Sequence, residues 1–580
     1  MLRRIKIGKV TPRYVKTWAV INALAVVVGM AGGLGAIVFR MMIGVNKFIF
    51  FENLLKSLPH LDIYGHNILL IAIPAIGGLI VGPIINRVAP ETKGHGVPEV
   101  MEAVYLRGGV IRKRIALIKI LVSSVTIGSG GSAGREGPIA QIGASIGSLI
   151  AQILKLPSKY KRLLVVCGLS SGIAGTFNAP LGGALFGLEI FYRGIEAFDA
   201  VPVILASVVG TAVATTYLGP TPAFSVKGLS LTFSAAELPF YFLVGVIFGL
   251  IATAWVKFFY FMEDLFERMR VRDHLKPAIG GLMVGALGMF FPTYGIMGVG
   301  YEGINAVLAG HFPIIILLTL GLFKLIATSF TIGSGGSGGV FAPSLYIGTM
   351  LGGALGYSLH ALFPWLIKEP LAYSLAGMAA LFSGASQAPL TLMIMIPEMC
   401  DNYSLLPSLM IACITSFFTA HAFLKGSSIY TLKLERRGIN VKVGRPLVLD
   451  SISVGEVMER RVVAVKPDMP LSALELLVNE TNHTGFPVLE DNKLIGVITI
   501  NDVIKVPSQI RSKLKVKDVL PRRKLVVAYP DESLSIALDK MYEEGVDRLP
   551  VVSRERPDKL IGIISENDII TAYRKAVLEF

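Results

Sequence analysis

Residues 126–138 read TIGSGGSAGREGP, and residues 331–343 read TIGSGGSGGVFAP, 205 positions further along the chain. A second matching pair is Ala-Pro-Leu at 179–181 and at 388–390, 209 positions apart. Chance similarity between glycine-rich stretches would not preserve the flanking Thr, Ile and Pro in step. The sequence therefore contains two related halves, and each half carries one copy of a broken, glycine-rich segment.

The composition around these segments is that of a membrane protein. Hydrophobic residues make up 53% of the chain and charged residues only 16%, against roughly 25% charged in soluble domains. Apolar stretches follow one another from about residue 16 to 430, and several are too short to span or are cut by Gly, Ser or Pro. We predict an all-α polytopic membrane body of two inverted repeats with broken helices. Duplicated broken segments indicate a transport site at the repeat interface.

The formal net charge of +15 comes from basic clusters between apolar stretches, rather than from a nucleic-acid-binding surface. By the positive-inside rule we assign these clusters, and the N-terminus, to the cytoplasm. The first apolar stretch lacks a small-residue cleavage site, so it is predicted to stay as a membrane helix. The three cysteines imply no disulfide framework or metal site. The basic clusters are Arg3, Arg4, Lys6 and Lys9; Arg112, Lys113 and Arg114; and Arg268, Arg270 and Arg272.

Domain boundaries follow from these changes in composition. A basic N-terminus covers residues 1–15 and the membrane domain 16–435, with halves at about 16–220 and 236–435. Charges return after residue 430, and the tail at 446–580 has its own repeat, KLIGVITIND at 493–502 and KLIGIISEND at 559–568. Each unit is predicted as helix, strand, helix, strand, strand, helix, which gives two α/β modules at about 450–510 and 513–575.

Three glycine turns lead into apolar helices, GHGVP at 94–98, GREGP at 134–138 and GVFAP at 339–343. Free N–H groups and the partial positive charge of a helix start attract anions, and Pro fits the first helical turn. If the turns converge, they bind an anion without a full buried charge. The alternative is that the glycines only permit close helix packing. The predicted anion-binding residues are Gly94, His95, Gly96, Gly134, Arg135, Gly137, Gly339, Val340, Phe341 and Ala342.

Glu136 is the ionisable residue in the middle turn. A charged side chain at membrane depth costs roughly 2.5–3.5 kcal/mol on insertion scales, so it is expected to face a pathway and to have a function. Its carboxylate can occupy an anion's place when charged and leave when protonated, which would make it a gate and a proton acceptor. The alternative is a salt bridge to Arg135, although adjacent residues seldom face each other on a helix.

With these motifs, residues 15–435 resemble the CLC family of chloride channels and proton/chloride exchangers, and Tyr430 matches the family's central tyrosine. The resemblance implies a homodimer with one pore per subunit, and chloride held by amides near Phe341 and by the Tyr430 hydroxyl. It implies neither an enzyme nor a resident cofactor. The tail resembles a tandem CBS pair, which often binds adenine nucleotides. The residues matching that pattern are Thr499, Asp502, Ser565 and Asp568, and the two aspartates are equally candidates for helix capping.

Two positions depart from the family pattern. His95 stands where the first pore segment commonly has Ser, and we hypothesise that it makes conduction pH-dependent or changes anion selectivity. The alternative is a side chain turned into a helix contact. Ile190 follows Glu189 at the position where exchangers usually carry a proton-transfer glutamate. Isoleucine carries no proton, so a passive channel is favoured, and proton-coupled antiport through water or another group stays open.

A CBS-regulated divalent-cation transporter would also join membrane helices to such a tail. Hard cations prefer oxygen ligands, yet the body offers few isolated carboxylates, and its pore motifs present N–H groups. A membrane-bound enzyme is disfavoured because the sequence has no Ser/His/Asp set, HExxH motif or P-loop. The isolated carboxylates are Glu136, Glu189, Glu302 and Glu398.

Overall fold

A computed structural model describes residues 12–57, 59, 62–63, 66–192, 197–226, 231, 234–439, 449, 452–481, 483–521 and 525–578. The predicted basic cluster at residues 3–9 lies outside these ranges. The chain forms two compact units, a helical body and a C-terminal tail, which are described in turn.

The body consists of helices joined by short connections. Besides a two-stranded hairpin of β1 (Asp62–Ile63) and β2 (His66–Asn67), its helices are α1 (Pro12–Lys47), α2 (Leu55–Ser57), α3 (Ala72–Val88), α4 (Val97–Leu106), α5 (Ile115–Gly128), α6 (Glu136–Ile153), α7 (Ser158–Phe177), α8 (Pro180–Gly187), α9 (Ala197–Leu218), α10 (Leu238–Arg268), α11 (Lys276–Gly288), α12 (Tyr301–Ala309), α13 (Ile314–Gly333), α14 (Phe341–Leu362), α15 (Ala372–Ser386), α16 (Pro389–Cys400), α17 (Leu406–Leu424) and α18 (Thr431–Arg436).

The two halves share one order of helices. Helices α3 to α9 correspond to α11 to α17, and the ends of α5 and α13 are 205 residues apart, as in the sequence repeat. Even the breaks match, because α7 is followed by Asn178 and α15 by Gln387, both in the left-handed conformation, and Ala-Pro comes next in each case. The predicted body of two repeats with broken helices is confirmed.

Close helix crossings depend on glycine. A Cβ on Gly78 would collide with the backbone of Pro277, and one on Gly281 with the backbone of Pro74, so α3 and α11 touch through reciprocal glycines. Small residues allow this approach in membrane bundles. The packing interpretation of glycine therefore holds at these crossings.

Long apolar helices confirm a multi-pass membrane protein. Within the described ranges, six helical segments are long and apolar enough to cross a membrane. Three shorter apolar segments accompany them, at Ile115–Gly128, Pro180–Tyr192 and Pro389–Cys400. The last two follow the Ala-Pro breaks. Short segments of this kind are tolerated where protein surrounds them.

The tail is a pair of small α/β modules, each with its own buried core. Each module contains one antiparallel hairpin, in which β3 pairs with β4 and β5 with β6. The elements are α19 (Val454–Val457), α20 (Leu471–Thr481), β3 (Gly485–Glu490), β4 (Lys493–Thr499), α21 (Ile500–Ile504), α22 (Ser508–Arg511), α23 (Val516–Val519), α24 (Leu534–Glu544), β5 (Arg548–Val552), β6 (Leu560–Ser565) and α25 (Glu566–Leu578).

The first strand predicted for each module is reduced to one bridging residue. Val465 pairs in parallel with Val488, and Ala528 pairs in parallel with Val551. A proline follows two residues later in both modules, at Pro467 and Pro530. Proline has no N–H to donate, which explains why the pairing stops there.

Candidate functional site

The three predicted glycine turns lie side by side in the body. Gly134 and Gly339 exchange backbone hydrogen bonds of 2.7 and 2.6 Å. The Gly94 N–H donates to the Gly336 carbonyl at 3.0 Å, beside the bridge between Gly94 and Ser337. The starts of α4, α6 and α14 are therefore brought together from both halves, and each has Pro in its first turn, at Pro98, Pro138 and Pro343.

The first turn needs its glycines. Gly94 and Gly96 have φ values of +76° and +81°, which L side chains rarely adopt. His95 between them is 1% exposed, and its ring lies 5.7 Å from the Tyr430 ring and 5.9 Å from the Phe259 ring, between centroids. The imidazole thus packs against other rings, and among the described residues neither of its nitrogens has a hydrogen-bond partner.

Glu136 is almost fully buried, and its carboxylate is held by α12 and α14. Oε1 accepts a hydrogen bond from the Tyr301 hydroxyl at 3.0 Å, and Oε2 accepts the Ala342 N–H at 3.3 Å. Ala342 is the second residue of α14, where helix N–H groups have no partner within the helix. The carboxylate therefore sits where an anion would bind a helix start.

Among the described residues, no ion pair joins the Arg135 guanidinium to the Glu136 carboxylate, as the salt-bridge alternative would require. Its guanidinium stacks over the Tyr301 ring, 4.8 Å from the centroid. Tyr301 thus contacts both neighbours, with its ring under Arg135 and its hydroxyl on Glu136.

Sequence reasoning missed Tyr301 and the turn before it. Gly298 and Gly300 both have positive φ and precede α12, 204 positions after Gly94 and Gly96. Gly298 exchanges backbone hydrogen bonds with the glycine-rich segment between α5 and α6, donating to Gly130 and accepting from Ala133. This fourth turn repeats the first turn at an offset of 204 positions, one less than the 205 of the main repeat. The sequence motif was less visible because no proline follows these glycines.

Aromatic rings enclose the remaining predicted residues. The Phe341 ring contacts Phe177, Phe186 and Phe382, and Tyr430 contacts Phe186 and Phe382. Phe341 and Tyr430 are both 2% exposed. Tyr430 directly precedes α18, and its ring lies between His95 and this phenylalanine cluster.

Two buried lysines tie down the turns and were not singled out from the sequence. Lys119 donates to the carbonyls of Thr92 and Gly94, each at 3.0 Å. Lys324, 205 positions later, donates to the carbonyls of Gly295, Ile296 and Gly298 at 2.8–3.2 Å. Both side chains are fully buried. The repeat therefore includes a cation that fixes the backbone ahead of α4 and α12.

Glu189 and Glu398 bind each other's helices across the two halves. Glu189 accepts the N–H groups of Leu390 and Thr391 at the start of α16. Glu398 accepts the N–H groups of Leu181 and Gly182 at the start of α8. Ile190, next to Glu189, is 6% exposed. Both carboxylates are therefore occupied as helix caps.

We expect Glu398→Gln to lower the free energy of unfolding by about 1–2 kcal/mol, because a neutral amide is a weaker acceptor at a positive helix start. Thermal unfolding of the purified protein in detergent measures this change. Exposed Glu267 supplies the matched control, Glu267→Gln, with no expected effect. Equal stability of the two variants would show that the cap contributes nothing.

The tail contains a cavity of about 440 Å³ lined by both modules, including Thr499, Asp502, Lys505 and Arg548. Asp502 accepts the N–H and hydroxyl of Thr499 and so completes a capping box at α21. Ser565 and Asp568 make the same pair at α25. Both predicted aspartates thus act in helix capping, and the cavity adjoins the first pair.

Comparison with known proteins agrees with this geometry. The family model described as "Voltage gated chloride channel" matches residues 77–421, and the CBS domain model matches residues 454–508 and 516–575. The H(+)/Cl(-) exchange transporter ClcA of Yersinia pseudotuberculosis is 31% identical over 428 residues, which cover 73% of this chain and 88% of that protein. Chloride channel protein CLC-f of Arabidopsis thaliana is 28% identical over 595 residues, 88% of this chain and 74% of that protein.

Solved structures share the architecture. A slow cyanobacterial Cl−/H+ antiporter matches with a TM-score of 0.64 at 26% identity, covering 72% of this chain and 97% of that one. A eukaryotic CLC transporter, at 18% identity, shares the fold over 94% of this chain and 97% of its own, with a TM-score of 0.63.

The divalent-cation alternative finds no support in these comparisons, since the matched family model and the similar proteins are chloride channels and H(+)/Cl(-) exchangers. Members of the matched family are channels or transporters, not enzymes. On the family match, the relatives and the shared fold together, this chain belongs to the CLC family of chloride channels and transporters and carries a C-terminal pair of CBS domains.

Proposed function

We propose that the protein conducts chloride passively through a pore gated by Glu136. The observation that carries this proposal is the Glu136 carboxylate, which accepts the free Ala342 N–H at the start of α14. A charged carboxylate there competes with chloride for the same donor, and a protonated one releases it. The other predicted pore residues supply further hydrogen-bond donors. These are backbone N–H groups in the turns at 94–98, 134–138 and 339–343, and the hydroxyl of Tyr430.

Passive conduction is favoured by the region around Ile190. Isoleucine holds no proton, and neighbouring Glu189 is occupied as a cap of α16. Proton-coupled exchange is the second candidate, since two similar proteins are described as a H(+)/Cl(-) exchange transporter and a Cl−/H+ antiporter. Exchange would need water or another group to bring protons to Glu136.

A flux assay separates the two candidates. Purified protein is reconstituted in liposomes, a chloride gradient is imposed with the membrane potential clamped, and the internal pH is recorded. Chloride flux without proton movement supports the channel, whereas proton movement against its own gradient makes the protein an exchanger. Absence of anion flux in every condition would refute both candidates.

We further propose a homodimer with one pore per subunit, with the N-terminus and the tail in the cytoplasm. The basic clusters between the apolar stretches support this orientation. Chemical cross-linking in intact membranes tests the dimer, and protease access from each side tests the orientation.

The CBS pair is proposed to bind an adenine nucleotide in the cavity beside Thr499 and Asp502. Lys505 lines that cavity and suits phosphate, whereas Arg548 lines it but is bonded to Asp547, Thr484 and Gly485. Both Thr499 bonds go to Oδ2 of Asp502, so its Oδ1 suits a ribose hydroxyl.

We expect Asp502→Asn to weaken ATP or AMP binding about tenfold or more, as measured by calorimetry on the full chain. Asp518→Asn is the matched control, because Asp518 closes the same kind of capping box at α23 and does not line the cavity. Unchanged binding in Asp502→Asn would exclude this cavity as the nucleotide site.

A further inference from the structure

The backbone that carries Tyr430 is bonded at each neighbouring residue. Before it, the Ile429 N–H donates to the Ala385 carbonyl at 2.8 Å. The Ser428 hydroxyl accepts the Tyr430 N–H at 3.2 Å and the N–H of Thr431, the first residue of α18, at 3.1 Å. The tyrosine therefore stands at a short junction whose N–H groups all have partners.

Tyr260 in α10 supplies a further bond from outside this junction. Its hydroxyl donates to the Ile429 carbonyl at 2.6 Å, directly before Tyr430 in the chain. The same oxygen interacts with the N–H of Lys433, the third residue of α18, where a helix N–H has no partner within the helix. Tyr260 and Ile429 are both buried. One hydroxyl thus joins the residue before Tyr430 to the first turn after it.

The far end of α18 returns to the same tyrosine of α10. Arg436 stacks its guanidinium over the Tyr260 ring, 5.2 Å from the centroid, and donates to the Tyr260 carbonyl at 3.5 Å. It also pairs with the carboxylate of Asp264, one helical turn further along α10. Both ends of α18 are therefore attached to one face of α10, and Tyr260 takes part at each end.

The Tyr430 side chain depends on this backbone for its direction. Rings of His95, Phe186 and Phe382 surround it, and ring contacts of this kind limit its space without a hydrogen bond to its hydroxyl. The phenolic oxygen is the atom farthest from the backbone, so a small rotation at Tyr430 displaces this oxygen more than it displaces Cα. Binding groups work well only when they are held within about 0.5 Å of the productive place.

We propose that Tyr260 is a positioning residue for anion binding, because its hydroxyl fixes the backbone from which Tyr430 reaches the anion. This inference rests on the proposed role of the Tyr430 hydroxyl as an anion donor. It assigns part of the preference among monovalent anions to a residue of α10 that acts through Tyr430. Chloride is spherical and nitrate is planar, so a displaced donor changes the two affinities by different factors.

Anion binding to the purified full-length protein, measured by calorimetry with chloride and with nitrate, tests this proposal. Tyr260→Phe and Tyr260→Leu remove the hydroxyl. Each is expected to weaken chloride binding about three- to tenfold and to change the ratio of the two affinities. Tyr373→Phe is the matched control, because it removes a buried hydroxyl that donates to Glu237, at the end of α15 opposite Ala385. Its chloride affinity is expected to stay within about twofold of the wild type.

A double-mutant cycle distinguishes positioning from a general loss of structure. If Tyr260 acts through Tyr430, adding Tyr260→Phe to Tyr430→Phe leaves the affinities and their ratio as they are in Tyr430→Phe alone. Effects that add in the double variant would overturn the proposal. So would wild-type affinities for both anions in Tyr260→Phe or Tyr260→Leu, and whichever of these two variants folds suffices.

Two other outcomes concern the function on which the inference rests. Unchanged chloride binding in Tyr430→Phe would refute the role of that hydroxyl as an anion donor, and the positioning role of Tyr260 with it. Wild-type protein that neither binds nor conducts chloride would instead refute the proposed transport function.

Discussion

In liposomes, Glu136→Ala is expected to conduct chloride at a rate that no longer depends on pH over the range in which the wild-type flux does, because alanine has no carboxyl group to titrate. The wild-type carboxylate accepts two hydrogen bonds, from Tyr301 and Ala342. Each bond to a charged group is worth about 1.5–3 kcal/mol, so the charged carboxylate excludes chloride by about tenfold or more. Radiotracer chloride uptake at several pH values measures the effect.

Two further variants show whether charge or size is responsible. Glu136→Gln keeps the size and removes the charge, so its flux is also expected to lose pH dependence. Tyr301→Phe removes one of the two hydrogen bonds and keeps the carboxylate, so pH dependence persists with a shifted midpoint. A Glu136→Ala variant as pH-sensitive as the wild type would show that this carboxylate is not the gate.

The second large effect is expected from Lys324→Met. Its ammonium is the described partner of the buried Gly295 and Ile296 carbonyls, whereas the Gly298 carbonyl also accepts the Ala133 N–H. Two buried carbonyls without partners cost about 2–6 kcal/mol. We expect a marked loss of thermal stability, and of folded protein on size-exclusion chromatography.

The repeat supplies an internal comparison for this prediction. Lys119→Met is expected to cost less, because the Thr92 carbonyl also accepts the Ser337 hydroxyl and the Gly94 carbonyl also accepts the Gly338 N–H. Exposed Lys113→Met should have no effect. Equal stability of all three variants would contradict the role assigned to the buried ammonium groups.

The sequence repeat predicted the architecture because each half must break its helices at the same places. The glycine turns at 94–98, 134–138 and 339–343 could be predicted to meet, since glycine before a helix start permits both a positive φ, as at Gly94 and Gly96, and close backbone approach, as at Gly137 and Gly339. The CBS modules were likewise visible as a repeat, apart from the first strands, which prolines limit to single bridges.

Contacts between the halves could not be predicted from the sequence. Glu136 was predicted as a gate, but its partner Tyr301 lies 165 residues away and follows a glycine turn without proline. The cap exchange between Glu189 and Glu398 likewise depends on how α8 and α16 pack. Lys119 and Lys324 were detectable at an offset of 205, yet lysine in an apolar segment does not by itself reveal that it binds carbonyl oxygens.

If the Glu136 carboxylate occupies an anion-binding position at the start of α14, an anion takes that position once the side chain is neutral. Crystals of Glu136→Gln grown in bromide, with anomalous diffraction recorded at the bromine edge, test it most directly. We expect an anomalous peak within hydrogen-bond distance of the Ala342 N–H, at the place that the carboxylate fills in the wild type. A pore in which bromide binds elsewhere and leaves this N–H unoccupied would contradict it.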